Sequence, residues 1–285
     1  MTEIRTSVIV PAYQAWDSLP AAMEALRPQV DRPNRELVLF ESSGEFSQQE
    51  LTERWPWARV IAQAERTLPG RARNLAAREA RGRLLAFTDA DAVAEPDWLD
   101  ELEQALTDGV DGVAGAVLNG TPGSAVGTAD YLLEFSDWVP RPRLPVRHGA
   151  TCNLLLRRAV LDGTGFPEEV WPGEDTIVTF RIAARGRLGF APRARVRHTG
   201  RTGFRAFLQH QSQLGAAFHV VCQTVEFPHG SLARRRYGLL LPVFRLFGVA
   251  SRIRLYPAAV KAALRVSPLL AIGAVAWSAG LFRAR

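Results

Sequence analysis

From Ser7 to Phe87 the chain repeats one pattern: a short apolar run, a polar turn, then a segment with helical spacing. "SVIVPAY" (Ser7–Tyr13) reads as a strand stopped by Pro11. Asp17–Arg27 follows as an amphipathic helix, with Leu19, Ala22, Met23 and Leu26 on one face. "ELVLFESSG" (Glu36–Gly44) is a second strand ending in a polar turn, and "ARVIAQ" a third. "GRARNLAAREA" (Gly70–Ala80) is a helix running into "LLAF" (Leu84–Phe87), which is apolar without alternation. Strands of that kind need cover on both faces. Alternating with helices of about ten residues, they imply a parallel sheet with crossovers. Ligands of such sheets bind beyond the carboxyl ends of the strands. Tyr13, Glu41 and the pair Asp89 and Asp91 all stand just past strand ends, so three separate motifs are expected on one edge.

The pair Asp89 and Asp91 poses the sharpest chemical question. Two carboxylates beside a buried strand are costly to desolvate unless a cation or a donor network meets them. Either they are solvated and cap the helix near Pro96, or they hold something positive. Hard oxygen ligands suit Mg²⁺ or Mn²⁺, and a metal with open positions can also hold a diphosphate. Glu174 and Asp175 are expected in the first turn of a helix that Gly186 ends. There they either complement the helix dipole or supply a general base. Arg71 and Arg73, near a helix N-terminus, can pair with phosphate oxygens or form a solvated face. His198 closes a strand over Leu188–His198 and by itself reads as a structural or surface histidine. "DGVAGAVLNG" and "GATCNLLL" read as further strands, separated by a Pro- and Arg-rich loop over Trp138–Gly149. Internal repeats and Gly-rich nucleotide loops are absent from the sequence.

The chain has 285 residues, 47% apolar and 22% charged, which fits one large α/β domain, or a domain with an appendage. Two cysteines without ligand spacing suit a reducing compartment. Met1–Thr6 carries Glu3 and Arg5 and runs straight into a strand, so no export leader is expected. The net charge of +6 is unevenly placed: no acidic residue follows Glu226, whereas ten basic ones do. A one-signed tail suits nucleic acid or an anionic membrane, and its leucine, alanine and valine favour the membrane. Tyr237–Ala250 contains Pro242 and Arg245 and is short for a span. Val266–Phe282 is uncharged for 17 residues, about 26 Å as a helix, at the lower limit for crossing. The expected division is a catalytic domain over residues 1–226 and a helical, membrane-associated region over 227–285.

Taken together, "SVIVPAYQ", "ELVLFESSG", "GRARNLAAREARGRLLAFTDAD", "GATCNLLLRRAVLDGTGF" and "GEDTIVTFRIAARG" resemble, in order and spacing, the family 2 inverting glycosyltransferases of GT-A fold. The resemblance runs from Ser7 to about Phe218. It implies an α/β fold, a Rossmann-like, mostly parallel sheet flanked by helices, here with a C-terminal helical appendage. It implies a nucleotide-sugar donor whose base and ribose lie near Pro11, Ala12, Tyr13 and Glu41. Asp89 and Asp91 would hold the diphosphate through Mn²⁺ or Mg²⁺. Arg71 or Arg73 would help neutralise the leaving group, and His198 would complete the metal shell. Asp175, the last residue of the E-D motif, would be the catalytic base.

Three departures stand out. The second strand ends in Glu41-Ser42-Ser43-Gly44 where the family usually has two aspartates, and Gln14 stands where asparagine is common. The Q-x-x-R-W signature of processive synthases is missing from Phe207–Phe218. The expected activity is therefore metal-dependent inverting transfer of a single sugar to a hydroxyl of a lipid-linked or cell-envelope acceptor. It would take place at the cytoplasmic face of the membrane, with no nucleic-acid partner. The rivals are a sugar-nucleotide nucleotidyltransferase, whose Gly-rich, Lys-containing loop "VPAYQAWDSLP" lacks, and a non-catalytic sugar-nucleotide binder.

Overall fold

In a computed structural model of the chain, residues 3–141, 146–162, 165–225 and 240–284 are described. They divide into two units, one of residues 1–116 and 143–197, the other of residues 117–142 and 198–285.

In the first unit the apolar runs fold as strands, and the segments of helical spacing fold as crossovers. In chain order these are β1 (Thr6–Ala12), α1 (Leu19–Val30), β2 (Arg35–Glu41), α2 (Gln48–Arg54), β3 (Arg59–Ala62), α3 (Pro69–Glu79) and β4 (Leu84–Phe87). β1 lies between β2 and β4, parallel to both, with Ala12 level with Glu41 and Ile9 level with Phe87. β3 continues the parallel set beside β2. Their carboxyl ends therefore share one edge, as the strand-end motifs require. Val8, Ile9, Val10, Leu39, Phe40, Leu85 and Phe87 are fully buried, the condition that apolar strands without alternation demand.

The chain continues with β5 (Ala92–Ala94), α4 (Trp98–Ala105), β6 (Gly112–Asn119), α5 (Ala125–Phe135), β7 (Leu154–Arg157), α6 (Arg158–Leu161), α7 (Glu174–Ala184) and β8 (Leu188–His198). The strand order is β3-β2-β1-β4-β7-β6-β8-β5. β7 runs antiparallel to both β4 and β6, so the parallel run of the N-terminal strands ends at β4. A buried amide knits the antiparallel part together. Asn153 donates to the carbonyls of Ala116 (2.8 Å) and Ala194 (2.9 Å) and accepts from the Trp98 indole (2.8 Å). The short β5 was not visible in the sequence. It separates Asp91 from α4, whose N-cap is Asp97, so neither Asp89 nor Asp91 caps that helix.

The second unit contains α5 and four later helices, α8 (Phe204–Thr224), α9 (Leu241–Ile253), α10 (Pro257–Arg265) and α11 (Ser267–Arg283). α11 lies against α8 through glycines. A Cβ on Gly280 would come within 1.9 Å of the Ser212 carbonyl oxygen, and one on Gly215 within 1.9 Å of the Trp277 oxygen. Leu241, Trp277 and Leu281 form an apolar cluster with Leu214 and Phe218. A polar network crosses the same helices. Asp130 accepts from Gln211 (3.0 Å) and Arg201 (3.3 Å), and Glu134 pairs with His210 (2.9 Å). Arg245 donates to the Leu133 carbonyl (3.1 Å) and to Gln211 (3.0 Å). The expected domain boundary at residues 226 and 227 lies outside the described residues. Among them no single helix is long and apolar enough to cross a membrane. The pair α10 and α11, bent by 84°, qualifies by length and composition only.

The α8–α11 contact yields a direct test. Gly280→Val forces two backbones apart and is expected to cost about 2 kcal/mol or more, read as a clear drop in thermal midpoint. Gly123→Ala, at a position with nothing within 4 Å, should leave the stability within about 0.5 kcal/mol of the parent's.

Candidate active site

α3 carries the cation around which the edge is organised. Its first turn approaches the chain so closely that a Cβ on Gly70 would meet the Pro167 carbonyl oxygen at 2.3 Å, with the Glu174 side chain at 3.4 Å. That approach brings Arg73, one turn later, into the interior with only 4% of its side chain exposed. Nη1 donates to Glu174 at 2.6 Å and Nη2 to Asp89 at 2.7 Å. One guanidinium thus joins the D-x-D turn after β4 to the E-D pair that begins α7. Burial alone would favour loss of its proton, but Asp89 and Glu174 outweigh that and raise its pKa, so it stays charged.

α7 begins at Gly173, whose φ of 114° lies in the left-handed region where a side chain is disfavoured. Glu174 is buried and Asp175 half-buried. Asp175 accepts from the backbone N–H of Thr176 at 2.6 Å and of Thr151 at 3.3 Å. Burial is the main cause that pushes both carboxyls upward. Glu174 rises to about 7, against the pull of Arg73 and with the Asp175 charge adding to the rise. Asp175 is also raised, although Arg73, its backbone donors and His148 pull it down. The acids share the first turn but differ in commitment: Glu174 is tied to Arg73, whereas Asp175 is held by backbone.

The remaining expected residues take distinct places. Asp89 and Asp91 each bring a carboxylate oxygen to within 4.8 Å of the other, a spacing and chemistry that fit a hard divalent cation. Glu41, the last residue of β2, is 1% exposed. Its Oε1 accepts from the Ser43 N–H at 2.8 Å, while Oε2 has no partner among the described residues. A buried acceptor left open at a strand end suits an N–H or O–H from a ligand. Pro11 and Ala12 end β1, and Tyr13 is exposed just beyond. Gln14 follows at φ 48°, a left-handed position that asparagine tolerates better, so the departure from the family pattern falls on a strained turn. Arg71 is largely exposed and lies 4.0 Å from Glu168, outside the Arg73 network. His198 closes β8 at the start of the second unit, where its ring lies 4.6 Å from that of Phe135.

Several residues at this edge carried no signal in the sequence. The Arg66 guanidinium lies 4.9 Å from the Tyr13 ring centre and 5.8 Å from that of Trp171, both exposed aromatics. Thr151, from the segment read as a strand, donates to Asp175, and His148, from the Pro- and Arg-rich loop, acts on it through charge. Their partners are distant in sequence, so no local spacing could mark them.

Comparison with known proteins bears on the family and the fold. The family model described as Glycosyl transferase family 2 matches residues 7–163. Glycosyltransferase AglE of Haloferax volcanii is 25% identical over 188 residues, 63% of this chain and 62% of that protein. The chain therefore spans less than two thirds of that relative's length. Among solved structures, mannosyltransferase PcManGT from Pyrobaculum calidifontis, in complex with GDP-Man and Mn²⁺, superposes with a TM-score of 0.63. It is 20% identical, over 99% of this chain and 88% of that one. S. aureus TarS 1–349 in complex with UDP-GlcNAc superposes with a TM-score of 0.54 at 16% identity, over 98% of this chain and 91% of that one. At these identities the structures establish the fold, that of GT-A glycosyltransferases.

Removing the central cation tests the site's electrostatics. Arg73→Ala leaves Glu174 buried without its partner, with an expected loss of about 3–5 kcal/mol at pH 8. Without the guanidinium, the already raised pKa of Glu174 climbs further. A buried acid with a raised pKa is tolerated while protonated and destabilises as pH rises through that value. The stability gap between variant and parent should therefore narrow as pH falls from 8 to 5, followed by urea unfolding. A gap independent of pH would contradict the assignment.

Proposed function

The chain belongs to glycosyl transferase family 2, and from that premise we propose that it is a divalent-metal-dependent, inverting enzyme. It would move one sugar from a nucleotide-sugar donor to a hydroxyl of a lipid-linked or cell-envelope acceptor. The observation that carries this reading is the Arg73 bridge. A single buried cation couples Asp89, in the turn expected to face the diphosphate, to the acid pair expected to face the acceptor.

In this reading the nucleoside lies along Pro11, Ala12 and Tyr13, and the open oxygen of Glu41 accepts from its base or ribose. Asp89 and Asp91 are the ligands of Mn²⁺ or Mg²⁺, and His198 is proposed as a nitrogen ligand from the end of β8. A bound divalent cation would supply the electrophile for the departing diphosphate. Arg73 adds positive charge on the same side, and Arg71 is kept as an outer phosphate partner. The acceptor hydroxyl oxygen attacks the anomeric carbon from the face opposite the diphosphate. The bond from that carbon to the phosphate oxygen breaks, and its electron pair leaves with the nucleoside diphosphate. Asp175 takes the hydroxyl proton, so no covalent enzyme intermediate is needed.

The raised pKa of Asp175 suits this task, since a base closer to neutrality binds the transferred proton more strongly. The base works only when deprotonated. Activity should therefore rise with pH along an acidic limb whose midpoint lies above the ordinary carboxylate range. Asp175→Asn keeps the shape and removes the basicity, so turnover should fall by about 10² or more, with little change in donor affinity. Near-normal turnover would move the role to another group.

Metal dependence is tested separately by titration calorimetry with UDP and GDP. Binding of the cognate nucleotide should require Mn²⁺ or Mg²⁺ and weaken strongly in Asp91→Ala. Equal affinity in EDTA would remove the metal from the proposal.

A further inference from the structure

The helix α9 is apolar on two sides, and only one of them is packed. Leu241, Val249 and Ile253 are buried, and on the same side Arg245 donates to the Leu133 carbonyl and to Gln211. The opposite side presents Leu240, Val243, Phe244 and Phe247, spaced i, i+3, i+4 and i+7, which makes one continuous helical stripe. These side chains are 47%, 59%, 56% and 73% exposed. Four large apolar residues aligned in water form a patch that monomeric proteins normally bury or use.

We propose that this outward face of α9 docks the protein onto the surface of an anionic lipid bilayer. The charge around the stripe selects that occupant. Residues 227–285 contain ten basic side chains and no acidic one. Exposed Arg254, Lys261 and Arg265 follow the stripe in sequence. A second copy of the chain is disfavoured by the same count. A two-fold contact would set this one-signed segment against its own copy; Arg252 already has the Asp137 carboxylate at 2.7 Å, and the segment brings no acidic residue of its own. An anionic leaflet instead attracts each cation while the acyl region takes up the phenylalanines.

The geometry also sets the mode of attachment. α9 has 13 residues, about 20 Å as a helix, too short to cross a bilayer. α11 is more apolar, but Gly273, Ala274, Trp277, Gly280 and Leu281 are buried, with Gly280 directly against the backbone of α8. Carrying α11 across the membrane would break that contact and open α8, which bears the buried Gln211 bonded to Asp130 and Arg245. The docking is therefore peripheral, on one leaflet, and led by α9. It goes beyond the sugar-transfer reading and does not depend on the donor site.

Co-sedimentation of the full chain with phosphatidylcholine vesicles, with and without phosphatidylglycerol, provides the test. The parent should bind the anionic vesicles. Joint Phe244→Gln and Phe247→Gln substitution should reduce partition by about tenfold or more, with the thermal midpoint unchanged. Should that double variant melt early, Val243→Gln on the same stripe takes its place. Joint Arg254→Gln and Lys261→Gln substitution should weaken binding to anionic vesicles only, and added salt should do the same to the parent. The proposal is overturned if the parent ignores anionic vesicles or the phenylalanine variant binds them as well as the parent. A parent dimer that dissociates in the phenylalanine variant would assign the face to a second copy and equally overturn it.

Discussion

A guanidinium with almost no solvent contact cannot stand alone, and Arg73 does not. Its two terminal nitrogens are held by carboxylates from separate parts of the sequence, Asp89 sixteen residues away and Glu174 a hundred and one away. Each partner needs the other two. Without Arg73 the acids would be desolvated without compensation, and without them the cation would not be tolerated inside. The close passage at Gly70 lets α3 deliver this cation. The result is an edge on which the Asp89 turn and the acid pair have a fixed spatial relation before any ligand arrives. Preformed electrostatics of this kind are what a charge-separating transfer requires.

The same arrangement divides labour within the E-D pair. Glu174 and Asp175 are neighbours in sequence and raised in pKa by the same burial, but one carboxylate is spent on Arg73. The other is held by backbone donors from Thr176 and Thr151, which orient it without adding a formal positive charge. Asp175 is therefore the better candidate for the proton, and in the proposed reading Glu174 acts through Arg73 as a positioning residue. This assignment follows from hydrogen-bond partners more than from chain position, which would treat the two acids alike.

Much of this was legible in the sequence because it is written locally. Strand composition marked β1, β2 and β4 to within a residue or two at their starts, and parallel crossovers then obliged their carboxyl ends to meet on one edge. The acidic motifs could be placed there before any coordinates. What stayed hidden depends on residues far apart in the chain. The reversal of β7 leaves no trace in its leucines, because antiparallel and parallel buried strands look alike. β5 is three residues long, too short to show a period, yet it decides that Asp89 and Asp91 cap nothing. Arg73 read as one of two equivalent arginines. Only packing reveals that it is buried while Arg71 faces solvent. The helical region after Phe204 was legible as apolar and basic. That one face of α9 is satisfied and the other is not could be known only from where α5, α8 and α11 lie.

The central claim is that this Arg73-linked edge holds a nucleotide sugar with its reacting carbon turned toward Asp175. A crystal structure of the full chain with Mn²⁺ and the nucleotide sugar that most raises its melting temperature would test it most directly. The account predicts the diphosphate and the metal at Asp89 and Asp91, the nucleoside against Tyr13 and Glu41, and room beside the anomeric carbon for one hydroxyl within hydrogen-bond reach of Asp175. A diphosphate bound elsewhere, or an anomeric carbon facing away from Asp175, would contradict it.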